Sequence, residues 1–298
     1  MSIKAHPPHD LHQPVLLEAS LELLKPRPGE IYLDLTAGYG GHAQAFLERT
    51  GMQTSATLVD RDDYAIEQLS GLSAYGVRLM HADFVTAARQ LIDEGQTFDI
   101  VMIDLGVSSP QLDQSERGFS FMRSGPLDMR MDRRQELTAE MLVNTSSQDN
   151  LTRIIREYGE ESPAVARRIA SAIVEARPLR TTEQLADLIK HSIRGKWGKT
   201  HPATRTFQAL RIAVNDELRQ VADMLLLLPK LLKRGGRVGV ISFHSLEDRL
   251  VKRYFAEQHG AGYEAELQLL TKKPIEGATA DVHNPRARSA KLRAAVKI

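Results

Sequence analysis

The chain has 298 residues, 42% of them hydrophobic and 26% charged, with 39 lysines and arginines against 38 aspartates and glutamates. That length and balance fit roughly two soluble globular domains and exclude a disordered, collagenous or coiled-coil chain. Cysteine is absent, which removes a disulfide framework, a thiolate metal site and a cysteine nucleophile, and suits a reducing compartment. The start, MSIKAHPPHD, has no apolar signal core, and the strongest apolar run, Met224 to Leu228, is too short to cross a bilayer. A cytoplasmic protein with no membrane partner is expected.

Residues 15–24, VLLEASLELL, repeat apolar positions with helical period, and Pro26 and Gly29 close that helix. Ile31, Tyr32, Leu33 and Leu35 then read as a short buried strand, followed by a turn holding Gly38, Gly40 and Gly41 and a helix opening near His42. Glycines permit positive φ and close backbone approach, and a helix start offers unpaired N–H groups, so the turn is a small-molecule cradle. Gly38, Gly40 and Ala43 satisfy G-x-G-x-x-G/A, which leaves a nicotinamide or flavin enzyme open. Asp34 at the strand end disfavours a pyrophosphate and favours a cationic ligand such as S-adenosylmethionine. Asp60, ending the second strand TLVD, is placed to hold two ribose hydroxyls; both acids also have a plain reading as solvated strand-end carboxylates.

A third strand, VRLMHAD at 77–83, sets Asp83 beside Phe84, a pair suited to an adenine edge and face, with core packing of Phe84 equally open. The fourth, FDIVMIDLG at 98–106, is apolar between Asp99 and Asp104 and is expected at the centre of the sheet. Ligands bind beyond the carboxyl ends of such strands, which directs Asp104 and VSSPQ, 107–111, at the reactive end of a cofactor. Ser108, Ser109 and Pro110 read either as a stiff polar turn accepting from an exocyclic amine or as a helix cap. Strand and helix alternate throughout, so the fold class is α/β with a parallel sheet.

At residue 112 this alternation stops. Residues 112–135 carry five arginines, three methionines and two phenylalanines without period, and long irregular loops tend to be lids or binding loops. Helices are expected over 150–158, 164–176 and 183–193, the last preceded by a Thr181/Gln184 capping-box spacing. The reading is a helical insertion over 112–205, with 1–111 and 206–298 forming the sheet domain. Residues 191–211 and 284–298 are basic and free of acids, which suggests a polyanionic partner. In the first stretch Trp197 lies among Arg194, Lys196 and Lys199, where it reads either as a stacking residue for an unpaired base between cations or as an anchor of the insertion to the core. Residues 203–228 read as one long helix halted by Pro229, GGRVGVISFHS at 235–245 as the fifth strand, and LQLL near 267–270 and AKLRAAVKI as antiparallel edge strands.

Three chemistries find no support. Ser242, His244 and Ser245 lack a G-x-S-x-G elbow, ten histidines form no H-E-x-x-H, and no P-loop motif occurs, so no hydrolase, metal site or P-loop NTPase is expected. His42 and His81 are read as hydrogen-bonded neighbours of the cofactor loop.

The stretches AGYGGH, DRDDYAI, IDLGVSSPQLDQSERGFSFMRSGPLDMRMD, YGEE, HPATRTFQALRIAVNDEL, GGRVGVISFHSLEDRLVK and NPRARSAKLR, in this order over nearly the whole chain, resemble the bacterial small-subunit (16S) ribosomal RNA cytosine-N4 methyltransferases. The resemblance implies a class I (Rossmann-like) methyltransferase sheet with an inserted helical, RNA-recognising domain. It implies S-adenosylmethionine as cofactor, S-adenosylhomocysteine as product, and the decoding region of the small ribosomal subunit as partner. Residues matching the family's cofactor contacts are Gly40, Gly41, His42, Asp60, Phe84, Asp104 and Gln111, to which Asp34 and Gly38 are added from the reading above. Asp104, Ser109 and Pro110 are the catalytic candidates, and Arg117, Arg123, Arg130, Arg194, Lys196, Trp197 and Arg288 the candidates for RNA contact. A non-catalytic ribosome-assembly factor is the alternative, an oxidoreductase is disfavoured by Asp34, and a homodimer is one expected assembly.

Overall fold

A computed structural model describes residues 14–51, 53–193 and 201–298. The chain divides into two compact units, Met1–Gly106 with Gln220–Ile298, and Val107–Arg219.

The first unit is built on an eight-stranded sheet. Its strands are β1 Tyr32–Asp34, β2 Thr57–Asp60, β3 Arg78–His81, β4 Phe98–Asp104, β5 Leu232–Ser242, β6 Leu267–Leu269, β7 Ile275–Glu276 and β8 Lys291–Lys297. The order is β3-β2-β1-β4-β5-β8-β6, with β7 also paired to β8. The pairs β3/β2, β2/β1, β1/β4 and β4/β5 are parallel, and β8 runs antiparallel to β5, β6 and β7. The order reverses between β1 and β4, and that switch point is where a doubly wound sheet opens a crevice at its carboxyl edge. The fold is therefore class I Rossmann-like. β4 is central, as its apolar run implies: Ile100, Val101 and Met102 are fully buried. β8 is a strand, as expected, but lies inside the sheet; Leu292, Ala294 and Ala295 are covered and β6 forms the edge.

Two features correct the reading of residues 203–229. The helix Thr204–Asn215 ends where Asp216 takes a left-handed conformation, φ 49°, and a second helix, Glu217–Leu231, follows with Pro229 inside it. The apolar period runs unbroken across the junction, so periodicity could not expose the break. The first of these helices belongs to the second unit, whose limits are 107 and 219 in place of 112 and 205.

The second unit packs helices Ala139–Thr145, Gln148–Tyr158, Pro163–Glu175, Thr182–Ser192 and Thr204–Asn215 around Leu151, Ile155, Ile169, Ile173, Leu185, Ile189 and Leu210. Thr138, Ser147, Ser162 and Thr181 accept a backbone N–H at the first four helix starts, satisfying donors that have no intrahelical partner. The long stretch before them is irregular but anchored. Asn215 accepts from Met131 N–H at 2.8 Å and donates to the Met129 carbonyl at 2.8 Å. A Cβ on Gly118 would sit 2.2 Å from the Pro126 carbonyl oxygen, so only glycine allows that crossing.

Candidate active site

The carboxyl ends of three adjacent strands each present an acid: Asp60 on β2, Asp34 on β1 and Asp104 on β4. Asp34 is 1% exposed and accepts from the Tyr32 hydroxyl at 2.8 Å and Thr36 N–H at 3.1 Å. The Thr36 hydroxyl in turn accepts from Asp104 N–H at 2.6 Å. Burial holds the Asp34 carboxyl up at about 7, the two hydrogen bonds opposing it. Asp34 is thus enclosed by its own strand and the turn that follows it.

Asp60 shapes the glycine loop. Its Oδ2 accepts from Gly38 N–H at 2.8 Å and its Oδ1 from Asp62 N–H at 2.8 Å, leaving one lone pair on each oxygen for a further donor such as a hydroxyl. Burial raises its pKa despite these bonds. Gly38 and Gly40 take φ 53° and 81°, which an L-residue accommodates poorly, and Gly40 precedes the helix Gly41–Thr50 with no side-chain cap. The start of that helix therefore presents N–H groups to the crevice.

His42 is 6% exposed, and its Nε2 lies 3.1 Å from the Val15 carbonyl. A carbonyl only accepts, so Nε2 carries the hydrogen. Burial lowers the His42 pKa to about 4, and the neutral ring is left with a lone pair on Nδ1, 3.7 Å from Asp104 Oδ2. Asp104 is pushed well above the usual carboxylate range, first by burial and then by the charges of Asp34 and Glu247. Its Oδ1 is buried and has no hydrogen-bonding partner among the described residues. An unmet acceptor within an acidic crevice fits a cationic ligand or an N–H donor, and the cradle fits a nucleoside methyl donor.

Phe84 is 8% exposed and packs in the main core with Leu105 and Val85, so core packing is what the structure shows for its ring. The Asp83 carboxylate is engaged within the chain. It caps the helix Phe84–Asp93, accepting from Val85 N–H, Thr86 N–H and the Thr86 hydroxyl.

In the second unit, Ser108 and Gln111 form a capping box at the helix Ser109–Asp113, with Ser108 N–H donating to Gln111 Oε1 at 3.0 Å and Gln111 N–H to Ser108 Oγ at 3.4 Å. The turn is a helix cap, and Pro110 fits its first turn. Ser109 is half-buried, and its hydroxyl makes no hydrogen bond among the described residues.

One arginine expectation, Arg117, is corrected. Arg117 is 3% exposed and donates to the Arg130 and Met131 carbonyls at 3.1 and 3.2 Å, which leaves no surface for a phosphate. Arg130 is held by both oxygens of Asp128 and by the Arg133 and Gln135 carbonyls. Both tie the irregular loop to itself, because a guanidinium with five donors is the side chain best able to satisfy several buried carbonyls at once. Arg123 and Arg288 are exposed. Arg194, Lys196 and Trp197 lie outside the described residues. The C-terminal basic stretch is also partly internal: Arg293 and Lys291 pair with Asp248, and Lys297 donates to the Pro229 and Leu232 carbonyls.

Sequence reading missed Tyr32, Thr36 and Glu247, which bear on Asp34 and Asp104, and Val15, which holds His42. Tyr32 stands two positions before Asp34, on the same strand face, which is the one signal that could have found it.

The profile of the MraW methylase family matches residues 9–298. A ribosomal RNA small subunit methyltransferase H from Synechocystis sp. is 49% identical, covering 96% of this chain and 93% of its own. Proteins of the same name from Cyanothece sp. and Halothermothrix orenii are 48% and 44% identical, over 98% and 96% of this chain and 96% and 98% of their own. The chain belongs to the MraW methylase family and is an S-adenosylmethionine-dependent methyltransferase.

Proposed function

We propose that the chain transfers the methyl group of S-adenosylmethionine to N4 of a cytidine in the decoding region of small-subunit ribosomal RNA. The RNA class is that in the names of its relatives, and a ribosomal substrate agrees with a cytoplasmic location. Among the described residues no helix is long and apolar enough to cross a membrane. The observation that carries the chemistry is Oδ1 of Asp104, buried without a hydrogen-bonding partner among the described residues and set among three strand-end carboxylates.

S-adenosylmethionine supplies, when bound, a methyl carbon made electrophilic by its sulfonium. Gly38, Gly40, Gly41 and His42 line its cradle, Asp60 takes its ribose hydroxyls, and Asp34 and Asp104 provide the negative potential for its charge. The cytosine amine is a poor nucleophile because its lone pair is delocalised into the ring. Asp104 Oδ1 would accept an amine N–H, localising that lone pair on the nitrogen, and would take the proton that the amine gives up on methylation. A carboxyl with raised proton affinity suits that step. Ser109 of the second unit is proposed as a contact to the RNA. Holding the reactants in line in a dry pocket supplies much of the rate.

The test uses small subunits from a strain lacking the protein, incubated with it and labelled S-adenosylmethionine, followed by mapping of the methylated nucleotide. Label on cytidine N4 is the expected result. Subunit binding without transfer would make the chain an assembly factor, and label on another atom would refute the assigned nucleotide.

A further inference from the structure

Three consecutive residues outside the methyl-donor loop are joined to it or to the far end of the chain. Pro14 packs so closely on Gly41 that a Cβ there would lie 2.5 Å from its Cγ. The Val15 carbonyl accepts from His42 Nε2 at 3.1 Å. Leu16 N–H donates to Asp281 Oδ2 at 2.9 Å, across 265 positions of sequence.

Leu16 takes φ 56° and ψ 30°, a conformation unfavourable for a leucine, which persists only where the surroundings dictate it. Its side chain is 1% exposed, and its carbonyl accepts from both the N–H and the hydroxyl of Ser20. Among the described residues its N–H is held by Asp281. Asp281 is itself well placed: its N–H donates to the Gly277 carbonyl at 3.0 Å, and Gly277 N–H to the Ala290 carbonyl at 2.8 Å. A Cβ on Gly277 would lie 1.9 Å from the Ala287 oxygen, so the close approach that sets this corner requires glycine.

We infer that Asp281 is a positioning residue for the methyl-donor site: by holding Leu16 N–H it clamps residues 14–16 onto the glycine loop and keeps His42 in its Nε2–H tautomer beside Asp104. The inference rests on reading that loop as the S-adenosylmethionine site. Without the clamp the Val15 carbonyl is no longer fixed, and the ring loses the acceptor that makes Nδ1 its lone-pair nitrogen. The nitrogen facing Asp104 then varies, and the start of the helix Gly41–Thr50 loses the proline packed against it.

The experiment compares the full-length wild type with Asp281→Ala and Asp281→Asn. Nitrogen-15 NMR of the histidine ring is recorded on the ligand-free protein, and steady-state kinetics are measured with S-adenosylmethionine varied. In the wild type His42 should show the Nε2–H signature, and Asp281→Ala should give a mixture of tautomers. The KM for S-adenosylmethionine should rise about fivefold to tenfold, the effect of one hydrogen bond, with kcat within about twofold. Asp281→Asn still offers an oxygen to Leu16 N–H and should restore both readouts. An Asp281→Ala protein that keeps the wild-type tautomer and KM overturns the inference, whether or not its melting temperature falls. The ring signature is read without ligand, so it decides the clamp even if the wild type proves not to bind S-adenosylmethionine, a result that would defeat the site reading instead.

Discussion

The protonation of Asp34 makes S-adenosylmethionine binding depend on pH in a direction the structure determines. Burial lifts this carboxyl from 3.8 to about 7. A rise of three units corresponds to about 4 kcal/mol favouring the protonated form in the folded protein. Because the folded pKa is the raised one, the stability this group contributes is complete below about pH 4 and is lost as pH climbs through about 7. A cationic ligand prefers the ionised carboxylate, so its binding expels the proton and strengthens as pH rises through the same window, levelling above about 7. A group titrating at 7 goes from about 3% to about 75% ionised between pH 5.5 and 7.5, so affinity should rise by up to about 25-fold from Asp34 alone. S-adenosylhomocysteine lacks the sulfonium charge and should show a smaller rise. Titration calorimetry of both ligands across this range, in two buffers of different ionisation enthalpy, reads affinity and proton release together. In Asp34→Asn the profile should flatten to what Asp60 and Asp104 contribute, both being raised as well. Parallel profiles for the two ligands, or a full 25-fold rise in Asp34→Asn, would refute the assignment of Asp34 as an electrostatic partner of the sulfonium.

The arginines separate cleanly by burial. Arg117→Ala removes the donor that Arg117 gives to the Arg130 and Met131 carbonyls and should destabilise the protein by about 2 to 4 kcal/mol in chemical denaturation, whereas Arg123→Glu with Arg288→Glu should leave stability alone and lower RNA affinity and its salt dependence. Equal melting of all three variants would contradict the structural role given to Arg117. Ser109→Ala removes a hydroxyl with no partner among the described residues, so the fold should be unaffected while single-turnover methylation at limiting RNA slows; an unchanged rate would refute the proposed RNA contact.

Much of the molecule is legible in the primary sequence because the relevant physics is local. Strands β1 to β4 follow from short apolar runs punctuated by glycine, and the three strand-end acids follow from where those runs stop. Gly38 and Gly40 mark positive φ correctly, since only glycine takes it at little cost. Helix starts at Ser162 and Thr181 are likewise written in their caps. The family resemblance, carried by signatures over nearly the whole chain, supplied the chemistry that the loop pattern alone left open between methyl donor and dinucleotide.

What tertiary structure alone decided is which polar groups are already engaged. Arg117 and Arg123 stand six positions apart in one basic loop, yet the first is buried against carbonyls and the second is exposed, because burial depends on how the loop folds over itself. Asp83 follows β3 by two residues and Asp104 ends β4; a helix cap uses the oxygens of the first, while Oδ1 of the second is buried with no partner among the described residues. The break at Asp216 is hidden for the same reason, since an apolar face continues through it. The link from Asp281 through Leu16 to His42 joins positions 265 apart, and no local pattern encodes a hydrogen bond over that separation. Sequence determined the elements and the residue types at the crevice; the packed fold determined their burial and their partners.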